Sequence, residues 1–241
     1  MCLGPVIWNR RAACVCLSAT IFFSACGGGP TSPGAGSGPA ILLSANIVDP
    51  MTVNAVSQYN ACVGHAYPLP TSPNAAKNYF WPTSANFSTT DQLALYAACD
   101  GTTTQTNGDT NDPTSVRGAN MHLWCDNSST GLRYFHINMS PGVLGRHVSA
   151  GEKLGYAVMV NAGQAPSSAW YYSSNFDVSV IDGSDSVTFN YFAKLSASAF
   201  AAWAVRGVTS VAQTNFGGAP TCSSYSSNVG EAGILSFTPV R

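Results

Sequence analysis

Apolar and polar positions along most of this chain alternate over short runs instead of recurring at helical spacing. Segments 93–98, 102–106, 119–125, 132–137, 153–160, 176–181 and 187–192 are rich in β-branched, aliphatic and aromatic residues, and Gly, Asn and Asp separate them. Alternation is clearest over 132–137 and 176–181, where a period of two sends successive side chains to opposite faces of a sheet. Segment 41–48 reads as a further strand that stops at Asp49-Pro50, and 58–73 is turn-rich. Segment 77–82 is an aromatic stretch, with Tyr79-Phe80-Trp81, ahead of a polar loop. Only 196–206 has helical character: Ser196 can cap it, Phe200 and Trp203 share a face, and Gly207 ends it. Many short strands with one helix predict an all-β sandwich or barrel carrying a short C-terminal helix. No internal repeat is present.

The first 40 residues follow another pattern. Arg10 and Arg11 precede an apolar run over 12–25 that only Ser18, Thr20 and Ser24 interrupt. That run is shorter than the ~20 residues a spanning helix needs, and it reads as a signal peptide. Phe23-Ser24-Ala25-Cys26 resembles the lipobox of bacterial lipoproteins, with Phe23 where Leu is usual. The resemblance implies cleavage before Cys26, lipid on that cysteine and a membrane anchor, each buried methylene contributing ~0.8 kcal/mol. Residues 26–40, rich in Gly, Pro and Ser, then form a tether. The expected organisation is signal peptide 1–25, tether 26–40 and a single domain 41–241. Gly27 carries no acidic retention signal, so the outer membrane is the expected location in a two-membrane cell.

Charge narrows the partners. Charged residues make up 9% of the chain, which has a net charge of −1, and no basic run occurs, so nucleic acid is excluded as a partner. Cys2, Cys14 and Cys16 fall in the signal, and Cys62, Cys99, Cys125 and Cys222 remain for the exported body. An even number in an oxidising compartment suggests two disulfides. If 102–106 and 119–125 form an antiparallel hairpin, Cys99 and Cys125 come opposite each other, within the ~7 Å that a disulfide allows. That pairing leaves Cys62 with Cys222. No C-x-x-C pair supports a thiolate metal site.

The order of segments resembles a known family. Leu95-Tyr96-Ala97-Ala98-Cys99-Asp100-Gly101-Thr102 is similar to the "V-Y-A-x-x-D-G-x-V" strand and turn of lysostaphin-type zinc endopeptidases, which cut peptidoglycan cross-bridges. His122-Leu123-Trp124-Cys125-Asp126, followed by Thr130-Gly131-Leu132-Arg133-Tyr134-Phe135-His136-Ile137, resembles "V-V-I-D-H-G-N-G-x-x-T-x-Y-A-H-L". Val148-Ser149-Ala150-Gly151-Glu152-Lys153-Leu154-Gly155 resembles "V-K-x-G-Q-x-I-G", and Asn175-Phe176-Asp177-Val178 sits where that family has "H-F-E-V". The match covers roughly 77–181 and implies a barrel-sandwich hybrid of the duplicated-hybrid-motif type, with a groove across one sheet.

The resemblance stops at the metal. That family holds zinc with His and Asp of an H-x-x-x-D motif and with the second His of H-x-H, while a "Y-A-H-L" histidine serves the bound water. His136 matches that last histidine. Lys77 and Trp81 stand at the H-x-x-x-D positions, and Ser173-Ser174-Asn175 replaces H-x-H. None of these replacements is a zinc donor, so the resemblance implies the scaffold without its metal centre and without a cofactor. His122 and Asp126 have H-x-x-x-D spacing but lie downstream of the "V-Y-A" strand; they read as a strand histidine and a turn aspartate. His65 lacks an acidic partner at the fourth position after it, where Leu69 stands. His147 reads as an exposed loop residue.

Other signals are weaker. The 107–112 loop is rich in oxygen donors but lacks a closing Glu, so a solvated loop is the better reading than a calcium site. Tyr79-Phe80-Trp81 and Trp170-Tyr171-Tyr172 read as core aromatics before they read as a sugar platform. The expected function is non-catalytic: binding of peptidoglycan, or of a cell-wall hydrolase, by an anchored peptidase-like domain. Two alternatives stand beside it. One is an active zinc enzyme with rearranged ligands drawn from His65, His122, Asp126 and His136. The other is an unrelated β-sandwich that binds carbohydrate or protein.

Overall fold

A computed structural model describes residues 43–63, 67–69, 72–75, 77–83, 86, 89–105, 118–159, 175–183, 187–217 and 233–238. The signal peptide, Cys26 and the tether lie outside the described residues, as do His65, Trp170-Tyr171-Tyr172, the 107–112 loop and Cys222. No helix among the described residues is long and apolar enough to cross a membrane.

The strands are β1 (Val53–Ser57), β2 (Tyr67–Leu69), β3 (Ser72–Ala75), β4 (Asn78–Pro82), β5 (Ala94–Tyr96), β6 (Gly101–Gln105), β7 (Ala119–Cys125), β8 (Gly131–Met139), β9 (His147–Val148), β10 (Lys153–Ala157), β11 (Phe176–Ile181), β12 (Thr188–Phe189) and β13 (Ile234–Ser236). Eleven of them form one sheet in the order β13-β1-β4-β11-β8-β7-β6-β9, with β12 on β11 and the pair β10–β5 branching from β8. β2 and β3 pair separately. The pairings between strands are antiparallel, as the short alternating runs require.

β8 is where the sheet divides. Its first half pairs with β11, and its last residues pair with β10. Leu95 and Leu154 of the branch meet Leu123, Leu132, Tyr134, Val178 and Val180 of the main path in one core. The architecture is therefore a sandwich built from a single open sheet. Phe80, Phe176, Tyr191, Phe192 and Trp203 close one part of that core with ring centroids 5.1–6.3 Å apart. Asn46 accepts from Trp203 Nε1 at 2.8 Å and from the Tyr191 hydroxyl at 3.1 Å, which satisfies the two polar tips buried there.

The expected hairpin forms. β6 and β7 pair with Gly101 opposite Cys125, and Cys99 is bonded to Cys125 with Cα atoms 5.7 Å apart. Position 101 must be Gly, because a Cβ there would lie 2.1 Å from the Trp124 carbonyl oxygen. Cys62 is also disulfide-bonded.

Three elements differ from expectation. Residues 43–48 of the expected 41–48 strand do not form one: Leu43 makes one bridge to Leu195, and the apolar residues Leu43, Ile47 and Val48 lack a period of two. The strand starts later, at Val53, because Asp49 accepts from Met51 N and starts a 3-10 turn over Pro50–Thr52. Segment 187–192 is cut short in the same way. Asn190 accepts from Phe192 N and begins helix α1 (Tyr191–Lys194). Segment 77–82, expected as an aromatic stretch only, is the central strand β4. Its Tyr79, Phe80 and Trp81 are all buried, in keeping with a core role. Ser196 caps helix α2 (Ala197–Ala201) as expected, and a 3-10 turn over Ala204–Arg206 completes the segment at Gly207.

Candidate functional site

The face of the sheet turned away from the main core carries polar side chains under cover. In β11, Phe176, Val178 and Val180 enter the main core, whereas Asp177 and Ser179 alternate to the other face and are still buried. β4 aligns Tyr79 with Asp177, so Lys77, two residues before Tyr79, lies diagonally across from the same carboxylate. Lys77 Nζ sits 2.7 Å from Asp177 Oδ2, with both side chains no more than 3% exposed. The ammonium also lies 3.8 Å from the centroid of the Phe135 ring, and the Arg133 guanidinium stands 4.9 Å from that same ring.

His136 reaches this cluster through a bulge. β7 pairs Ala119 with Ile137 but Met121 with Tyr134, so the single residue Asn120 faces both Phe135 and His136. The extra residue places both on the outer face. His136 takes a left-handed backbone conformation, φ +57°, uncommon for a residue with a Cβ. Its N–H donates to Asn120 Oδ1 at 3.2 Å, and its carbonyl accepts from Val158 N at 2.7 Å. Gly118, at φ +66°, packs against this bend; a Cβ there would lie 2.7 Å from Val158 Cγ2 and 2.8 Å from the His136 carbonyl carbon. The bulge brings His136 Nε2 to 4.0 Å from Asp177 Oδ1, with the imidazole 28% exposed.

The remaining sequence candidates lie apart. His122 belongs to β7 and packs beside Trp124, with ring centroids 5.1 Å apart and planes tilted by 52°. Asp126 lies past the end of that strand and pairs with His147 Nε2 at 2.7 Å on an exposed surface. Four residues along a strand span ~13 Å, so H-x-x-x-D spacing does not bring His122 and Asp126 onto one ion. The Asp126 hydrogen bond, reinforced by its charge, raises the His147 pKa above its ordinary 6.5. No group of three or more His, Cys, Asp or Glu that could hold a metal occurs among the described residues.

The positive finding is what Asp177 does hold. A protonated ammonium has three donors and no lone pair, so Lys77 cannot ligate zinc, and it already neutralises Asp177, the one buried carboxylate among the described residues. The donor set does not fit a zinc centre. Asn175, just before β11, and Ser179 within it are also buried, and Asn175 Nδ2 and Ser179 Oγ have no hydrogen-bond partner among the described residues. Sequence reading missed the Lys77–Asp177 pair as a unit. In the sequence each charge stands alone in an otherwise uncharged stretch, and nothing there pairs the two.

No family model matches this sequence, and no curated protein does. Among solved structures the chain is similar to the catalytic domain of the antimicrobial peptidase lysostaphin from Staphylococcus simulans. Identity is 15%, the TM-score is 0.36, and the match covers 57% of this chain and 87% of that one. It is also similar to the SpoIIQ–SpoIIIAH pore-forming complex, at 14% identity and TM-score 0.41, covering 65% of this chain and 92% of that one. A zinc-containing peptidase from Vibrio cholerae matches at 16% identity and TM-score 0.38, over 61% of this chain and 38% of that one.

Proposed function

We propose that this chain is a cell-envelope lipoprotein, anchored at Cys26, whose peptidase-like domain binds peptidoglycan or a cell-wall hydrolase without cutting it. The observation that carries the reading is the buried Lys77–Asp177 pair beside His136. Hydrolysis by a bound metal requires several imidazole or carboxylate donors around one ion with a position left for water. Here an ammonium stands among the donors. The ordered motif resemblance over 77–181 supports a cell-wall setting, and the lipobox-like Phe23-Ser24-Ala25-Cys26 supports the anchor.

The test uses full-length protein purified from membranes in detergent. Metal analysis and incubation with purified sacculi are read together with co-sedimentation. The expected result is substoichiometric zinc, intact sacculi, and protein in the pellet, or a co-purifying hydrolase in its place. One equivalent of zinc with chelator-sensitive release of peptides from sacculi refutes the reading.

A further inference from the structure

We propose that Lys77 is the resident cation of the outer-face site, holding by its single ammonium charge a position that Asp177 and His136 would otherwise offer to a divalent metal. This rests on the non-hydrolytic reading above and specifies what excludes the metal.

A buried carboxylate requires a counter-charge, and Asp177 is covered from solvent. Lys77 Nζ supplies it at 2.7 Å, and the face of Phe135 receives the ammonium from another side at 3.8 Å. The other carboxylate oxygen, Asp177 Oδ1, lies 4.0 Å from His136 Nε2. Two donors that each bind one zinc ion at ~2.0–2.2 Å lie ~3–4 Å apart. The pair is therefore near the spacing for one ion. A zinc ion set on Asp177 would also stand beside the Lys77 ammonium, where like charges in a poorly hydrated site repel strongly. The exclusion is electrostatic, and Lys77 brings the charge that touches Asp177. Exchanging that side chain for an imidazole removes the competing charge and adds a third donor on the same face.

The experiment compares full-length wild type, Lys77→His, and Lys77→His combined with Asp177→Asn, all in detergent. Each is dialysed against zinc, analysed for bound metal, and melted with and without zinc. Wild type is expected to take up no stoichiometric zinc and to show no zinc-dependent shift. Lys77→His is expected to hold about one equivalent, and its melting temperature to rise ~5–10 °C when zinc is a hundredfold above its Kd. Addition of Asp177→Asn is expected to abolish both effects. If Lys77→His does not fold without metal, it is refolded from urea with zinc: recovery supports the proposal, and failure with zinc as without it overturns the proposal. A folded Lys77→His that binds no zinc, while wild type is also metal-free, overturns this inference and leaves the non-hydrolytic reading standing. Wild type that carries zinc and cleaves sacculi overturns both.

Discussion

Replacing His136 by Gly, Asn and Ala tests whether the bulge in β8 stores strain. The φ of +57° puts its Cβ close to the following carbonyl, at a cost of roughly 1–2 kcal/mol for an L-residue. Gly escapes that cost but loses roughly 0.5–1 kcal/mol in backbone entropy. The Gly variant should therefore be more stable than the Ala variant by about 0.5–1 kcal/mol. At an ordinary strand position the sign is opposite, with Ala ahead of Gly. Asn, which tolerates the left-handed region, should fall between them. All three variants lose the imidazole, so its proximity to Asp177 cancels in the comparison. Urea unfolding followed by tryptophan fluorescence, with equal m-values, provides the assay. In melting temperature the gap corresponds to about 2–4 °C per kcal/mol for a domain of this size. An Ala variant as stable as the Gly variant would refute the strained bulge.

Gly118→Ala meets the same bend from the other side and, with φ +66° and contacts under 3 Å, should destabilise by about 2 kcal/mol or more in the same assay. Removing the Cys99–Cys125 bond, which spans 26 residues, by a double Ala substitution should cost about 3.5 kcal/mol by loop entropy; an unchanged urea midpoint would count against a native bond. His147 has a raised pKa because of its hydrogen bond to Asp126, with the charges of Asp100 and Glu152 acting in the same direction. The contribution of this pair is thus complete below pH 6.5 and lost as pH rises through the elevated value; His147→Gln should remove that segment of the stability–pH curve, as differential melting at successive pH values would show.

The legible parts of the fold are those in which local pattern and tertiary demand agree. Ala119–Cys125 alternates in sequence and in burial, and Phe176–Ile181 is bounded as expected. The hairpin argument found Cys99–Cys125 because an antiparallel ladder decides which residues face each other. Segment 41–48 misled because Leu43, Ile47 and Val48 are buried in coil whose backbone bonds go to Lys194 and Ala98 and form no ladder. The bulge at Phe135–His136 did leave a trace. Inward positions run Leu132 and Tyr134 and then shift phase to Ile137, as one inserted residue demands. A reading that assumed unbroken alternation over 132–137 passed over it. The Lys77–Asp177 pair was hidden by distance along the chain, since only the β4–β11 register brings the two together.

Stability alone does not account for the outer face. A buried ion pair recovers its desolvation cost only with excellent geometry, and apolar replacements of similar volume are often as stable or better. Asn175 Nδ2 and Ser179 Oγ are buried without a hydrogen-bond partner among the described residues, and a polar atom left unsatisfied in that way costs ~1–3 kcal/mol. His136 adds a strained backbone. Tyr79 and Trp81, with Ala55 and Val63, show that part of the same face is packed with apolar groups. The charged and strained residues are instead gathered where β4, β11 and β8 meet, around the one imidazole that remains 28% exposed. Under the binding reading proposed above, these costs fall on the recognition surface, with Lys77 fixing the carboxylate and the bulge presenting His136. On this view Lys77→Met with Asp177→Leu should fold at least as stably as wild type in urea while weakening co-sedimentation with sacculi or losing a co-purifying partner. A double variant that is markedly less stable would return the pair to a purely structural role.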